Sequence, residues 1–233
     1  MDGLASAFIA YNHLCSVYTY QTITAIPVQY GEEKELIFND DILDKNNIVY
    51  FVDFSLKRDL MIELSKSVCE IIVLDHHKTA EMELKDLDKE LDNIFIKFDM
   101  NKSGAIITYE HFNADEYLIT NDGELINYKT RRREMFAYIE DRDLWNWELQ
   151  HSKEISAYLK FAIKPNDLDS FAKVYKNFDK SAYAGYGSLL LENQEKQVAA
   201  KIKRVKDVEV AGIKFKAINA TENISEIGNK ICE

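Results

Sequence analysis

The sequence predicts an α/β fold: a mostly parallel sheet with flanking helices, then a long connecting helix and the start of a second, incomplete α/β unit. Three observations carry this prediction. Ile48–Phe54 (IVYFVDF) and Cys69–Leu74 (CEIIVL) are continuous apolar runs, the pattern of strands buried on both faces. Helical spacing fills Leu56–Ser67 between them, so the two strands are joined by a parallel, right-handed crossover. Residues 181–205 hold no proline and turn strongly charged (LLLENQEKQVAAKIKRVKDV), which suits a long helix between two units.

Taken in order, Asp2-Gly3 reads as a loop feeding an amphipathic helix built on Leu4, Phe8, Ile9 and Leu14. Thr22–Tyr30 (TITAIPVQY) is β-branched and alternating and reads as a strand, as does Ile94–Phe98 (IFIKF). A helix begins near Lys102-Ser103-Gly104. Helical spacing returns over Glu124–Tyr138 and over Lys153–Phe178, where Pro165 interrupts it. Val208–Ala220 reads as a hairpin turning at Ala211-Gly212, and Ser225–Cys232 starts another helix. The expected division is therefore a main unit over residues 1–180, a connecting helix over 181–206, and the beginning of an accessory unit over 207–233.

With 233 residues and 46% hydrophobic content, the chain has the composition of an ordinary globular core. The segment shows no membrane-spanning run and no secretory leader pattern, so a cytoplasmic setting without membrane partners is the expectation. The three cysteines, Cys15, Cys69 and Cys232, are scattered and odd in number, which argues against a disulfide framework or a CxxC metal site. A net charge of −11 disfavours broad attraction to nucleic acid. Acidic proteins nevertheless act on phosphates when metal ions reverse the sign of the site.

Sites in α/β folds lie where strands end. Asp2 heads the first helix, Asp53 ends IVYFVD, Asp75-His76-His77 ends CEIIVL, and Asp141 and Asp143 follow the apolar run Phe136–Ile139. Each aspartate taken alone reads as a helix cap. Several of them converging on one sheet edge beside two histidines read as a metal site, since imidazole with carboxylates suits manganese, iron or zinc. Lys78 and Arg142 adjoin these positions and are candidate phosphate contacts, whereas Arg131-Arg132-Arg133 reads as a solvated face. Ser103 and Gly104 offer backbone N–H groups at a helix start, a place where anions bind, and Ser103 reads equally as an ordinary cap. His13, His111 and His151 do not read as ligands.

The combination FVDFS, VLDHHKTA, NKSGA and YIEDRDLWNWEL, with DGLASA ahead of it, resembles the DHH phosphoesterase superfamily, and in particular its bacterial and phage phosphohydrolases. That resemblance implies a two-metal phosphoesterase, usually with manganese (Mn2+) and with magnesium (Mg2+) as a second candidate. It implies that Asp53 bridges the metals, that Asp2, His76 and Asp141 complete one site, and that Asp143 is the lesser candidate in the last motif. By the same carry-over His77 faces the scissile phosphate and Asp75 supports the histidines from behind. Trp145 is expected to pack under the site rather than stack on a base. The implied substrates are nucleotides or short single-stranded oligonucleotides.

Two departures from the family pattern qualify what is expected. Relatives carry a histidine, and often another aspartate, shortly before the position of Asp2, where this sequence has only Met1. They also continue beyond a stretch like VEVAGIKFKAINA into a substrate-gripping domain, of which Asn219 and Ser225 match only the start. The resemblance therefore implies a fragment or a split or degenerate member, completed by another chain or by self-association into a homo-oligomer. The alternative function is a non-catalytic DHH-fold protein that binds nucleotides or a partner chain.

Overall fold

The computed structural model describes residues 1–18, 22–33, 38–112, 118–119, 125–126 and 132–232. The fold is mixed α/β. Helix α1 (Asp2–Val17) precedes strand β1 (Ile48–Val52), and α2 (Arg58–Ser65) leads to β2 (Glu70–Asp75). The short helices α3 (Lys78–Glu83) and α4 (Leu87–Glu90) connect to β3 (Ile94–Phe98), which feeds α5 (Gly104–His111). The three strands form one parallel sheet in the order β1-β2-β3, so β2 is central.

The continuous apolar run of β2 is explained by what covers it. Ile71 and Val73 join one core cluster with Phe51, Leu60, Met61, Leu64, Leu84, Leu87 and Ile94. Ile72 and Leu74 face the other way, into a larger cluster with Phe8, Ile9, Ile107, Phe136, Ile155 and Phe171. A strand buried on both faces has no polar side to alternate with.

The second cluster is built by the helical part of the chain. Strands β4 (Leu118–Ile119) and β5 (Leu125–Ile126) pair antiparallel, followed by α6 (Arg132–Asp143), α7 (Ser152–Ala162), α8 (Leu168–Lys176) and α9 (Lys180–Ile202). Pro165 lies between α7 and α8, where the sequence interrupts its helical spacing. Asp167 and Asp179 cap α8 and α9 by accepting the N–H of Ser170 and Ala182. Helix α9 packs along α7 so closely that a Cβ at Gly187 would lie 1.8 Å from the Glu154 carbonyl oxygen. The hairpin β6 (Lys206–Val210) and β7 (Ile213–Ala217) turns at Ala211 (φ 52°) and Gly212 (φ 78°), the left-handed pair that a two-residue turn needs. Helix α10 (Ile224–Cys232) follows. Among the described residues no helix is long and apolar enough to cross a membrane.

Two expectations are corrected. Thr22–Tyr30 is not a strand: the described residues 22–30 are irregular and mostly exposed, with Pro27 removing a ladder donor in mid-segment. Ile23 and Val28 from this stretch pack, one against each core cluster. Within Glu124–Tyr138, helix starts only at Arg132, and Leu125–Ile126 is a strand pairing with Leu118–Ile119.

Candidate metal centre

The sheet delivers its polar residues to the ends of β1 and β2. Asp75 is the last residue of β2 and is 0% exposed. Its Oδ1 accepts the backbone N–H of His76 (2.7 Å) and of His77 (3.3 Å) and pairs with His77 Nδ1 at 2.6 Å, while Oδ2 accepts the Ser55 hydroxyl at 2.6 Å. Burial alone would push the Asp75 carboxyl up, but the hydrogen bonds from His77 and Ser55 outweigh it and hold the group below the usual carboxylate range. In return, the Asp75 hydrogen bond raises the His77 imidazole above its ordinary value. The His77 side chain is 44% exposed and uses Nδ1 inward, so Nε2 is the nitrogen it presents outward.

Asp53 lies one residue past β1 and holds φ at 54°, a left-handed conformation uncommon outside glycine. Its N–H still donates to the Leu74 carbonyl at 2.9 Å, so the turn is anchored to β2. The backbone is packed tightly around its carboxylate. A Cβ at Gly104 would stand 2.6 Å from Asp53 Cβ, and one at Gly3 would stand 3.1 Å from Oδ2.

His76 Nε2 is the centre on which the carboxylates converge. It lies 3.1 Å from Asp53 Oδ1, 3.4 Å from Asp143 Oδ2 and 3.8 Å from Asp2 Oδ2. The Asp53 carboxylate at this short distance, reinforced by the charges of Asp143 and Asp2, outweighs burial and raises the imidazole to about 9. Asp2 is 3% exposed, and burial, then Asp53 and Asp143, push its carboxyl up to about 8. Burial and Asp53 raise Asp143 in the same way. Ligand atoms of Asp2, His76 and Asp143 form one group that could hold a metal ion, and those of Asp53, Asp75, His76 and His77 form another.

The chemistry of the residues fits a divalent cation. Asp53 Oδ1 is buried with no hydrogen-bond donor aligned on it, although His76 Nε2 is 3.1 Å away. The charge of Asp53 adds to burial in raising the carboxyls of Asp2 and Asp143, and a cation relieves that repulsion. The donor set, carboxylate oxygens with one imidazole nitrogen, suits manganese or another first-row ion, with magnesium served by the oxygens.

Several sequence-selected residues are placed differently from expectation. Asp141 is 5% exposed and does not reach the cluster. Its carboxylate accepts the N–H of Glu148 (2.9 Å) and Leu149 (3.3 Å), and its carbonyl accepts those of Asn146 (2.9 Å) and Trp147 (3.4 Å). Asp143, the lesser candidate by sequence, is the residue beside His76. The helix start at Ser103-Gly104 does meet an anion, but that anion is Asp2: Gly104 and Ala105 donate their N–H groups to its two oxygens at 2.6 and 3.0 Å. Ser103 is buried, accepts the Ile106 N–H as the α5 cap, and donates its own N–H to Glu140, so neither it nor Gly104 is presented to a substrate.

Lys78 is exposed at the start of α3, next to His77. Arg142 is committed to other partners: one nitrogen pairs with Glu226 of α10 at 3.1 Å, and its guanidinium lies over Trp145 and Trp147 at 4.5 and 5.4 Å. Arg131 and the side chains of Arg132 and Arg133 lie outside the described residues. His13 and His111 lie among aromatic rings near Phe112 and are lowered by burial. A feature that the sequence reading passed over is Tyr30, 66% exposed and packed on Phe54 at 4.8 Å, one residue from Asp53. Only the misassignment of its segment as a strand hid it.

No family model matches the chain, and no solved structure matches it. Among curated proteins it is 29% identical, over 241 aligned positions, to an uncharacterized protein of Acanthamoeba polyphaga mimivirus. The match covers 99% of this chain and 52% of that protein, so the chain spans about half the length of the relative.

Proposed function

We propose that the chain is a metal-dependent phosphoesterase of the DHH type, which hydrolyses phosphoester bonds in nucleotides or short single-stranded oligonucleotides. One observation carries the reading. Asp2, Asp53 and Asp143, from three distant segments, converge within 3.8 Å of His76 Nε2, beside an outward-facing His77 backed by Asp75. Asp2, Asp53, His76 and Asp143 would hold the cation, manganese or magnesium. Such an ion supplies a nucleophile at neutral pH and offsets the negative charge that develops on phosphoryl oxygens.

The remaining roles belong to side chains of this chain. Asp75, saturated by hydrogen bonds, fixes the His77 ring with its Nδ1 inward. The shift favours the protonated imidazole, whose Nε2–H can hold a phosphate oxygen or protonate a leaving alkoxide. Exposed Lys78 adds a cation at the same rim. Asp141 orders the backbone that follows Asp143 and so positions that ligand indirectly.

The test is hydrolysis of short RNA, adenosine bisphosphate and cyclic dinucleotides by the purified chain with Mn2+. Nucleotide or phosphate release should require the metal and fall by at least about 100-fold in Asp53→Ala, the loss expected when a metal ligand is removed. Absence of release from all three substrates, or release that Asp53→Ala leaves unchanged, would refute the enzyme and leave the non-catalytic binding protein as the reading.

A further inference from the structure

Residues 144–149, which follow α6, form a loop that the proposed chemistry does not use. Asp141 binds four of its backbone N–H groups, those of Asn146, Trp147, Glu148 and Leu149. Within this ordered loop both tryptophans adopt left-handed backbone conformations, Trp145 with φ 59° and Trp147 with φ 58°. Bulky side chains rarely adopt that region, and backbone strain held by surrounding hydrogen bonds gathers at functional sites. The two rings meet edge to face at 5.2 Å, and each keeps part of its surface at the solvent. Trp145 is two residues from Asp143, whose carboxylate belongs to the cluster around His76.

The electrostatics narrow what this loop is for. With a net charge of −11, the chain has little general attraction for a phosphorylated ligand. Arg142, the cation nearest Asp143 in sequence, is paired to Glu226, and its guanidinium carbon lies 4.5 Å from the Trp145 ring centre and 5.4 Å from that of Trp147. Its charge is therefore taken up by the rings and by Glu226 rather than left unpaired for a phosphate. Flat π surfaces beside a phosphoester site recognise bases, which stack whatever their sequence.

We infer that Trp145 and Trp147 form a stacking step for the substrate's nucleobase beside Asp143, so that the site selects nucleotides over base-free phosphoesters. This rests on the phosphoesterase reading for the word substrate, but base binding itself can be measured without turnover. The chain contains two tryptophans, and both are in this loop, so intrinsic tryptophan fluorescence reports on it alone.

The experiment titrates the full chain, in Mg2+ buffer, with adenosine, adenosine monophosphate, ribose phosphate and inorganic phosphate while following that fluorescence. Adenosine and adenosine monophosphate should quench it saturably, and the two base-free compounds should not. Trp145→Leu and Trp147→Leu should each weaken adenosine monophosphate about 5- to 100-fold, the range for losing one base–aromatic stack. Trp→Phe at either position should recover most of the loss, and Mn2+ affinity should stay unchanged in all four variants. Equal quenching by ribose phosphate, or no quenching by adenosine, overturns the inference, and the wild-type titration decides this even if a leucine variant fails to fold. Quenching without hydrolysis would remove the enzyme and leave the stacking step standing. Hydrolysis that does not distinguish nucleotides from ribose phosphate would do the reverse.

Discussion

At the scale of single residues, the centre is a balance of charges that protons and cations can both satisfy. His76 is raised to about 9 from 6.5, and Asp2 to about 8 from 3.8, so without a cation the folded chain holds more protons than the unfolded one. The His76 contribution to stability is complete below pH 6.5 and is lost as pH rises through about 9, and the Asp2 shift lowers stability over the range from 3.8 to about 8. Both act in the same direction. Chelator-treated protein should therefore melt at a lower temperature at pH 9 than at pH 6.5, and Mn2+ should stabilise it more at pH 9, because binding must displace fewer protons there. Thermal melts at the two pH values, with and without Mn2+, check this, and a chelated protein more stable at pH 9 would contradict it. Gly104→Ala would place a Cβ 2.6 Å from Asp53 Cβ and 2.8 Å from Oδ1, so it should weaken Mn2+ binding by at least about tenfold in a calorimetric titration.

At the scale of elements, much of the architecture is legible in the sequence because burial leaves a pattern. Strand β3 coincides with the IFIKF run, β2 with CEIIVL within a residue, and the β6–β7 turn falls on Ala211-Gly212. Thr22–Tyr30 carries the residue types of a strand without a partner edge, and residue type alone cannot supply the partner. The exchange of Asp141 for Asp143 has a similar origin. Both lie in the last turn of α6, and two residues along a helix rotate a side chain by about 200°, so only one of them can face His76. Which one does so depends on the path of the following loop, which closes on Asp141 through contacts the sequence does not display. Asp141→Ala should therefore destabilise the fold by about 1–3 kcal/mol in denaturant melts, because two backbone N–H groups lose their carboxylate acceptor. Gly187→Ala should cost about as much or more, since its methyl would collide with the Glu154 backbone and push α9 off α7.

At the scale of the whole molecule, stability is unevenly distributed. The parallel sheet is covered on both faces, whereas all five residues of β6 and four of the five in β7 are exposed. Val208, Val210, Ile213 and Phe215 form cross-strand pairs with no layer burying them, and a lone two-stranded hairpin is marginal in water. Compared with the parallel sheet, amide exchange should accordingly be faster in the β6–β7 hairpin and slowest in β2. A net charge of −11 gives the molecule no general grip on phosphates, so the proposed chemistry depends on whether the carboxylates around His76 hold a cation. That dependence is tested most directly by anomalous X-ray scattering from crystals grown with Mn2+. The account predicts a manganese peak coordinated by Asp53 and His76 together with Asp2 or Asp143. No peak at His76, or an ion held by Asp141 instead, would contradict it.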